Sequence, residues 1–458
     1  MGTKRLIGLY GLQVKKNLSK IKIFKETMKC SIKSEWDRLS HVALHSPGIE
    51  MYFGLLDPFA SLYERSFNMK DALSEHQLLS NTLKEDFKVK VIHLNKTITQ
   101  MADESSSIHE NLIDLSKKSV SYTGDSQEVK RANKEADKNS NVLDSNFYFN
   151  NLLLNPQIEL ESGKGTRMIR LQITENEPLS NLYFMRDQQA VTDKGLVLAN
   201  MSKPQRKREP ILTKFLWNSL NLPISHEIKE PGTFEGGDFL PLKDFALIGT
   251  GDRTNNEGVK QMLKYGLNYD EVGVVHQPGH PILHDNLDLM INMHLDTYIN
   301  VASENVAIGC KTLLKNAYVD VYHREGPGSY LLSAETTNLN DYLISKGFNV
   351  INITTLEQLA YATNFLCIKN GTIISAEVEA IVKDVVNEFK FKSMEDMRFK
   401  PLFDQIERDY KNLCIDNQFF PHKKEMYQND IEVYTLNLHN LTGGYGGAHC
   451  MTCALKRN

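Results

Sequence analysis

Phe234-Glu235-Gly236-Gly237-Asp238-Phe239-Leu240-Pro241-Leu242-Lys243-Asp244-Phe245-Ala246-Leu247-Ile248-Gly249 is the stretch from which the fold is read. A double glycine between two acids makes a tight turn. Two apolar runs follow, 239–242 and 245–249, separated by Lys243-Asp244, and a helical pattern covers 257–265. The same order recurs on both sides. Asn181-Leu182-Tyr183-Phe184-Met185-Arg186-Asp187 leads into runs at 190–192 and 196–199 around Asp193-Lys194-Gly195, then a helical stretch over 209–219. Met293-His294-Leu295-Asp296 precedes runs at 298–301 and 306–308 around 302–305. A copy without acids runs through 365–368, Lys369-Asn370-Gly371, 372–375 and a helix over 378–389. Where a connection holds Gly or Asn, as at Gly195, Asn305 and Asn370-Gly371, that residue is expected to supply the positive φ a hairpin needs. Self-similarity of this kind points to radially repeated units. With 39–44 and the C-terminal loop included, about five β-hairpin-plus-helix units fit. In four of them polar or reactive side chains stand at or just before the hairpin. In a ring they converge on one central site.

The C-terminal loop, Gly443-Gly444-Tyr445-Gly446-Gly447-Ala448-His449-Cys450-Met451-Thr452-Cys453, supplies the reactive group. Glycine is placed where the chain needs unusual dihedrals or close approach. Four of them before a cysteine predict a flexible loop delivering the Cys450 thiol, whose thiolate is a strong nucleophile. The Cys450–Cys453 spacing has two other readings. A redox pair needs a helix after the motif, and five residues follow Cys453. A structural zinc site needs a second ligand pair, and His449 and His439 are the candidate nitrogens.

Composition sets the class. The chain has 458 residues, 41% hydrophobic and 24% charged with net charge −4, so a soluble globular protein fits and a nucleic-acid partner is not indicated. No apolar run approaches the roughly 20 residues of a membrane span. Six cysteines, four of them scattered, argue against a disulfide framework and for a reducing compartment, the cytoplasm. Residues 1–34 carry nine Lys/Arg against Glu26. That pattern makes them a basic extension or a targeting segment, with a mitochondrial or related organelle as the alternative location. From 35 to 458 the chain reads as one catalytic domain, with a helical, partly mobile insertion at about 70–145.

Each acid has a bland reading. His294 and Asp296, two apart on an expected strand, share a face; they are an acid–base pair or a surface pair. Glu235 and Asp238 fit ordinary turn chemistry, and Asp187 fits a turn or salt-bridge acid. Together, several carboxylates around one thiol repel anions and favour a planar guanidinium, whose carbon the thiol attacks.

Asn-Leu-Tyr-Phe-x-Arg-Asp at 181–187, Phe-Glu-Gly-Gly-Asp at 234–238, Met-His-Leu-Asp-Thr at 293–297 and His-Cys-Met-Thr-Cys at 449–453 occur in the order found in arginine deiminases, which the chain resembles from about residue 35 onward. The resemblance implies an α/β fold, the five-bladed pseudo-symmetric β/α propeller of the guanidine-modifying (pentein) enzymes, with a helical insertion after the first blade. It implies Cys450 as nucleophile forming a thiouronium intermediate, Asp187 and Asp296 gripping the guanidinium, and His294 as proton donor and then activator of water. Glu235 would hold His294 and the substrate. Asn181, Arg206 (or Arg208) and Arg253 would meet the amino-acid end of L-arginine, with Asp238 also at the substrate. It implies citrulline and ammonia as products, and no metal or organic cofactor. Alternatives are a dihydrolase giving ornithine, an amidinotransferase, a deiminase of another guanidine, or a non-catalytic arginine-binding homologue. Departures from the family pattern are Tyr445 for an arginine, Ala454 for a proline, and Gln188-Gln189 after the Asp187 motif. Radial folds of this kind often associate, so a homo-oligomer is an option without a readable interface.

Overall fold

The four hairpins around 181–199, 234–249, 293–308 and 365–375 form, and each gains a third strand. In a computed structural model that describes residues 30–161, 170–283 and 290–458, Phe239–Leu242 pairs antiparallel with Phe245–Thr250, which pairs parallel with Glu271–His276. Parallel partners need a crossover, and Asn256–Gln261 with the continuing turn Met262–Gly266 provides it. The pattern repeats in Gln189–Thr192, Gly195–Leu198 and Ile224–Glu227. It repeats in Ile299–Ser303, Val306–Cys310 and Asn349–Ile353, and in Leu366–Lys369, Thr372–Ala376 and Glu432–Leu436. A fifth sheet joins distant parts of the chain: Leu39–Leu44 lies parallel to Lys90–His93 and antiparallel to Cys453–Arg457. The middle strands Gly195–Leu198, Val306–Cys310 and Thr372–Ala376 are buried throughout, which explains their near-continuous apolar sequence.

Hydrogen bonds link each of these sheets to the next. Arg186 N donates to Cys450 O, and Gly236 N to Asp187 O, both at 3.0 Å. Leu295 N donates to Asp238 Oδ1 at 3.0 Å. Asn300 Nδ2 reaches Thr363 O and Phe365 O at 2.9 Å, and Arg457 Nη1 reaches Cys367 O at 2.8 Å.

Several details differ from the sequence reading. Gly195 and Gly371 do take positive φ, but in the 242–245 turn it is Lys243 that does so, and Asn305 does not. The hairpin Tyr318–Gly326/Ser329–Asn338 extends one sheet to five strands. Within the stretch read as an insertion, Met69–Asn81 is the crossover that returns the chain to the first sheet at Lys90–His93. Beyond it come helices Leu94–Glu104, Ser106–Ser119 and Ser145–Leu154. Ser126–Lys138 is a helix with no buried residue. Ser121–Gly124, Gln157–Glu161 and Arg170–Glu175 form a further sheet. Side chains at Asn68, Ser105, Asp125 and Asp144 cap the helices they precede.

Most of the basic N-terminal stretch lies outside the described residues. Residues 30–34 are tied in: Ile32 N donates to Thr192 O at 3.0 Å, and Lys243 N to Lys33 O at 2.7 Å. Among the described residues no helix is long and apolar enough to cross a membrane.

Candidate active site

In each of the five sheets the strand antiparallel to the middle one is entered through a turn carrying a polar residue. Asp187 precedes Gln189–Thr192, Glu235 and Asp238 precede Phe239–Leu242, and His294 and Asp296 precede Ile299–Ser303. Asn364 precedes Leu366–Lys369, and Cys450 precedes Cys453–Arg457. His294 and Asp296 do not lie on a strand as the alternation suggested. His294 stands at the start of a 3-10 turn, Leu295–Thr297. That turn is fixed by Thr297 Oγ1 donating to His294 O at 2.6 Å and Leu295 N donating to Asp238 Oδ1 at 3.0 Å. The two side chains therefore serve different partners.

His294 Nε2 lies 2.9 Å from Glu235 Oε2, and its Nδ1 is 3.8 Å from Asp187 Oδ1. The ring approaches this closely because residue 237 is glycine: a Cβ there would stand 2.8 Å from His294 Nδ1. Asp296 Oδ2 accepts from His449 Nδ1 at 2.7 Å and lies 3.5 Å from the Cys450 sulfur. Asn364 Nδ2 donates to that sulfur at 3.0 Å, while Asn364 Oδ1 receives Gly447 N and Cys450 N at 2.7 and 3.0 Å. Asp187, Arg206, Arg253, Asn181, His294, Tyr445 and Cys450 line one pocket of about 20 Å³, room for about one water.

The arginines differ in what they have left to give. Arg206 directs Nε and Nη2 at Glu209 and donates from Nη1 to Asp187 Oδ2 at 2.7 Å. Arg253, 1% exposed, faces Asp252 Oδ2 at 3.3 Å and Glu235 Oε2 at 3.6 Å, but its Nε and Nη1 make no hydrogen bond. Arg208 is turned away, donating to Leu152 O at 3.1 Å and to Glu177 O. Asn181 Nδ2 is held by Ser61 O at 2.6 Å. Asp238 supports Leu295 and takes the Thr254 hydroxyl at 2.6 Å; it is not among the residues lining this pocket.

Charge around Cys450 is arranged against the thiol. Burial, then Asp296 and Asp187, push the Cys450 thiol well above its ordinary range, with the Asn364 hydrogen bond opposing. Burial alone would lower His294, but Asp187, the Glu235 hydrogen bond and Asp238 outweigh it and raise it to about 9. Burial would likewise raise Glu235, yet Arg253, His294 and Arg206 hold it below the usual carboxylate range. Asp296 is also lowered: burial opposes its charge, and His449 and His294 prevail. Burial lifts Asp238 to about 6. Asp187, Glu235 and His294 offer possible ligand atoms within 4.8 Å of one another. A doubly protonated imidazole has no lone pair for a metal, and the two carboxylates already face Arg206 and Arg253.

Three supporting groups escaped the sequence reading. Glu35, 1% exposed, binds Arg186 at 3.1 Å and Arg457 at 2.8 Å and lies 3.7 Å from His449 Nε2. Glu209 fixes Arg206. Asn364 had a signal, since it occupies in its repeat the place that Asp187 occupies in another. The glycines of the C-terminal loop are explained by packing rather than by flexibility. Residues 441–450 are buried except for half-buried Tyr445. A Cβ on Gly444 would collide with the Tyr183 hydroxyl, and one on Gly446 would stand 2.7 Å from the Phe184 ring. Tyr445 takes φ +72° and lines the pocket.

A family model described as arginine deiminase matches residues 60–457. An arginine deiminase of Halobacterium salinarum is 25% identical across 94% of this chain and 97% of its own length. One of Borrelia garinii is 26% identical across 51% of this chain and 58% of its own length. Among solved structures, a dimethylarginine dimethylaminohydrolase of Pseudomonas aeruginosa complexed with citrulline covers 91% of this chain and 99% of its own, at 14% identity and TM-score 0.46. A cyanobacterial arginine dihydrolase covers 92% of this chain and 39% of its own, at 12% identity and TM-score 0.46.

Proposed function

This chain belongs to the arginine deiminase family, and we propose that it hydrolyses L-arginine to L-citrulline and ammonia with Cys450 as nucleophile. One observation carries this: Asp187 shares the pocket with Cys450, Asp296 lies 3.5 Å from its sulfur, and each keeps one buried carboxylate oxygen without a hydrogen-bond partner. Two open acceptors flanking a thiol call for a planar cation that donates to both and presents carbon to sulfur.

In the free enzyme burial and then two carboxylates keep the proton on the thiol. A bound guanidinium reverses the local charge, the proton leaves to solvent, and the thiolate attacks the guanidinium carbon. As the C–S bond forms, the His294 imidazolium protonates the departing nitrogen, the C–N bond breaks and ammonia leaves. Water then adds to the thiouronium carbon and gives a proton to neutral His294. The hydroxyl proton passes to solvent as the C–S bond breaks, freeing thiolate and citrulline. Glu235 holds the imidazole Nε2 throughout. Arg206, committed to Glu209, orients Asp187, and Arg253, whose Nε and Nη1 make no hydrogen bond, takes the substrate carboxylate beside Asn181. The pocket admits about one water, so lining side chains move when arginine enters.

The same proposal includes a five-bladed propeller, supported by the five matching sheets and the hydrogen bonds that join each to the next. It includes residues 35–458 as one catalytic unit with a helical insertion, a cytoplasmic location and no cofactor. Product analysis tests the activity. Citrulline and ammonia in equal amounts are expected from L-arginine, with far slower turnover of agmatine, which lacks the carboxylate. Ornithine with twice the ammonia would replace the proposal with a dihydrolase.

A further inference from the structure

A second cavity, of about 150 Å³, lies where the 45–50 turn meets the helices Leu94–Glu104 and Ser145–Leu154. Its floor is His45 and Glu50, each 1% exposed. Glu50 Oε1 is occupied, accepting from Gly48 N at 2.8 Å and lying 2.9 Å from His45 Nε2. Glu50 Oε2 and His45 Nδ1 have no partner. Ile49, Phe149 and Leu153 give the cavity an apolar wall, and the ammonium-bearing Lys96 and the amide of Asn150 stand at its exposed side. A buried carboxylate oxygen without a donor is costly, and the volume far exceeds the roughly 30 Å³ share of one water.

We propose that this cavity is a second small-molecule site that takes a free α-amino acid with an aliphatic side chain. Its ammonium meets Glu50 Oε2, its carboxylate faces Lys96, and its side chain lies on Ile49, Phe149 and Leu153. A simple anion would confront Glu50 and a simple cation would confront Lys96; a zwitterion answers both. The site touches the catalytic pocket through one chain of contacts. Ser180 Oγ donates to Glu50 O at 3.3 Å, and the next residue, Asn181, lines that pocket. Tyr63 Oη donates to Ser180 O at 2.7 Å, and its neighbour Leu62 lines the pocket too. An occupant on Glu50 therefore bears on the wall that receives the substrate. The binding claim does not depend on the proposed activity.

Titration calorimetry of the full chain with L-valine tests it, with isobutylamine and isovalerate as single-charge controls. Saturable valine binding is expected, tighter than either control. It should weaken more than about tenfold in Glu50→Gln and in Asn150→Leu, which fills the cavity from an exposed helix position and so keeps the fold. Lys96→Ala should remove the advantage of valine over isobutylamine. No saturable binding at millimolar valine, or undiminished binding in Asn150→Leu, overturns the site. Saturating valine should also shift KM for arginine in the wild type and not in Asn150→Leu; an unchanged wild-type KM overturns the link to Asn181.

Discussion

Two buried charge clusters lie beside each other, joined by His449, and they differ in what each leaves unpaired. Around Glu35 both carboxylate oxygens are bound, and the surplus is in donors: Arg186 Nε and Nη2 and Arg457 Nε have no hydrogen-bond partners. Around Cys450 groups of both kinds are left over, the acceptors Asp187 Oδ1 and Asp296 Oδ1 and the donors Arg253 Nε and Nη1. The first cluster fixes sequence-distant segments of the chain, whereas the second keeps open acceptors for a cation. Open acceptors beside a nucleophile distinguish a reaction centre from a structural knot in which every carboxylate oxygen is bound, although both are buried.

Substitutions can break this contrast from either side. Removing the sulfur should have the largest effect: Cys450→Ala is expected to lower citrulline formation by at least about 10⁴-fold while calorimetry still detects arginine binding. Retained turnover would dissolve the distinction between the clusters. Glu35→Gln should act through folding. It leaves two buried arginines uncompensated, at a cost of about 3–5 kcal/mol, readable from denaturant unfolding. Burial opposes the Glu35 charge, but Arg186, Arg457 and His449 hold its folded titration well below the ordinary carboxylate value. Its contribution is therefore complete at neutral pH and is lost as pH falls through that depressed value. A wild type that outlasts the variant equally at low and neutral pH would contradict the role.

Arg253→Ala should raise KM for arginine by about tenfold or more with a smaller change in kcat, since a charge-assisted hydrogen bond is lost. Agmatine turnover should hardly respond, and an equal loss on both substrates would move Arg253 away from the carboxylate. The pH profile gives the smallest and sharpest test. Below about 9 the free enzyme holds His294 as imidazolium but little Cys450 thiolate. Hence kcat/KM should rise with pH and level off near that value as His294 loses its proton. The rising limb of kcat should lie at lower pH, because bound guanidinium lowers the thiol. Coincident limbs would show that the substrate does not activate the sulfur.

The hairpins were legible because short apolar runs flank polar turns, and the motif residues were legible because each precedes such a run. Glu35 was not: its partner Arg457 lies 422 residues away in the chain, and no local pattern announces a contact of that separation. The parallel strands Ile224–Glu227 and Glu432–Leu436 are partly exposed, so they lack the apolar run that marks their neighbours. His294 and Asp296 were misassigned to a strand because spacing of two also fits a 3-10 turn, and the deciding bond, Leu295 N to Asp238 Oδ1, comes from another repeat. The C-terminal glycines suggested mobility because the rings they clear, Tyr183 and Phe184, lie more than two hundred residues earlier in the chain.

Rapid acid quenching during turnover of L-arginine labelled at its guanidino carbon, followed by peptide mass analysis, tests the nucleophile directly. The label should appear on the peptide carrying Cys450 as arginine less ammonia, and disappear as citrulline forms. Complete single-turnover conversion with label on no cysteine at any time, or on Cys453 in its place, would contradict it.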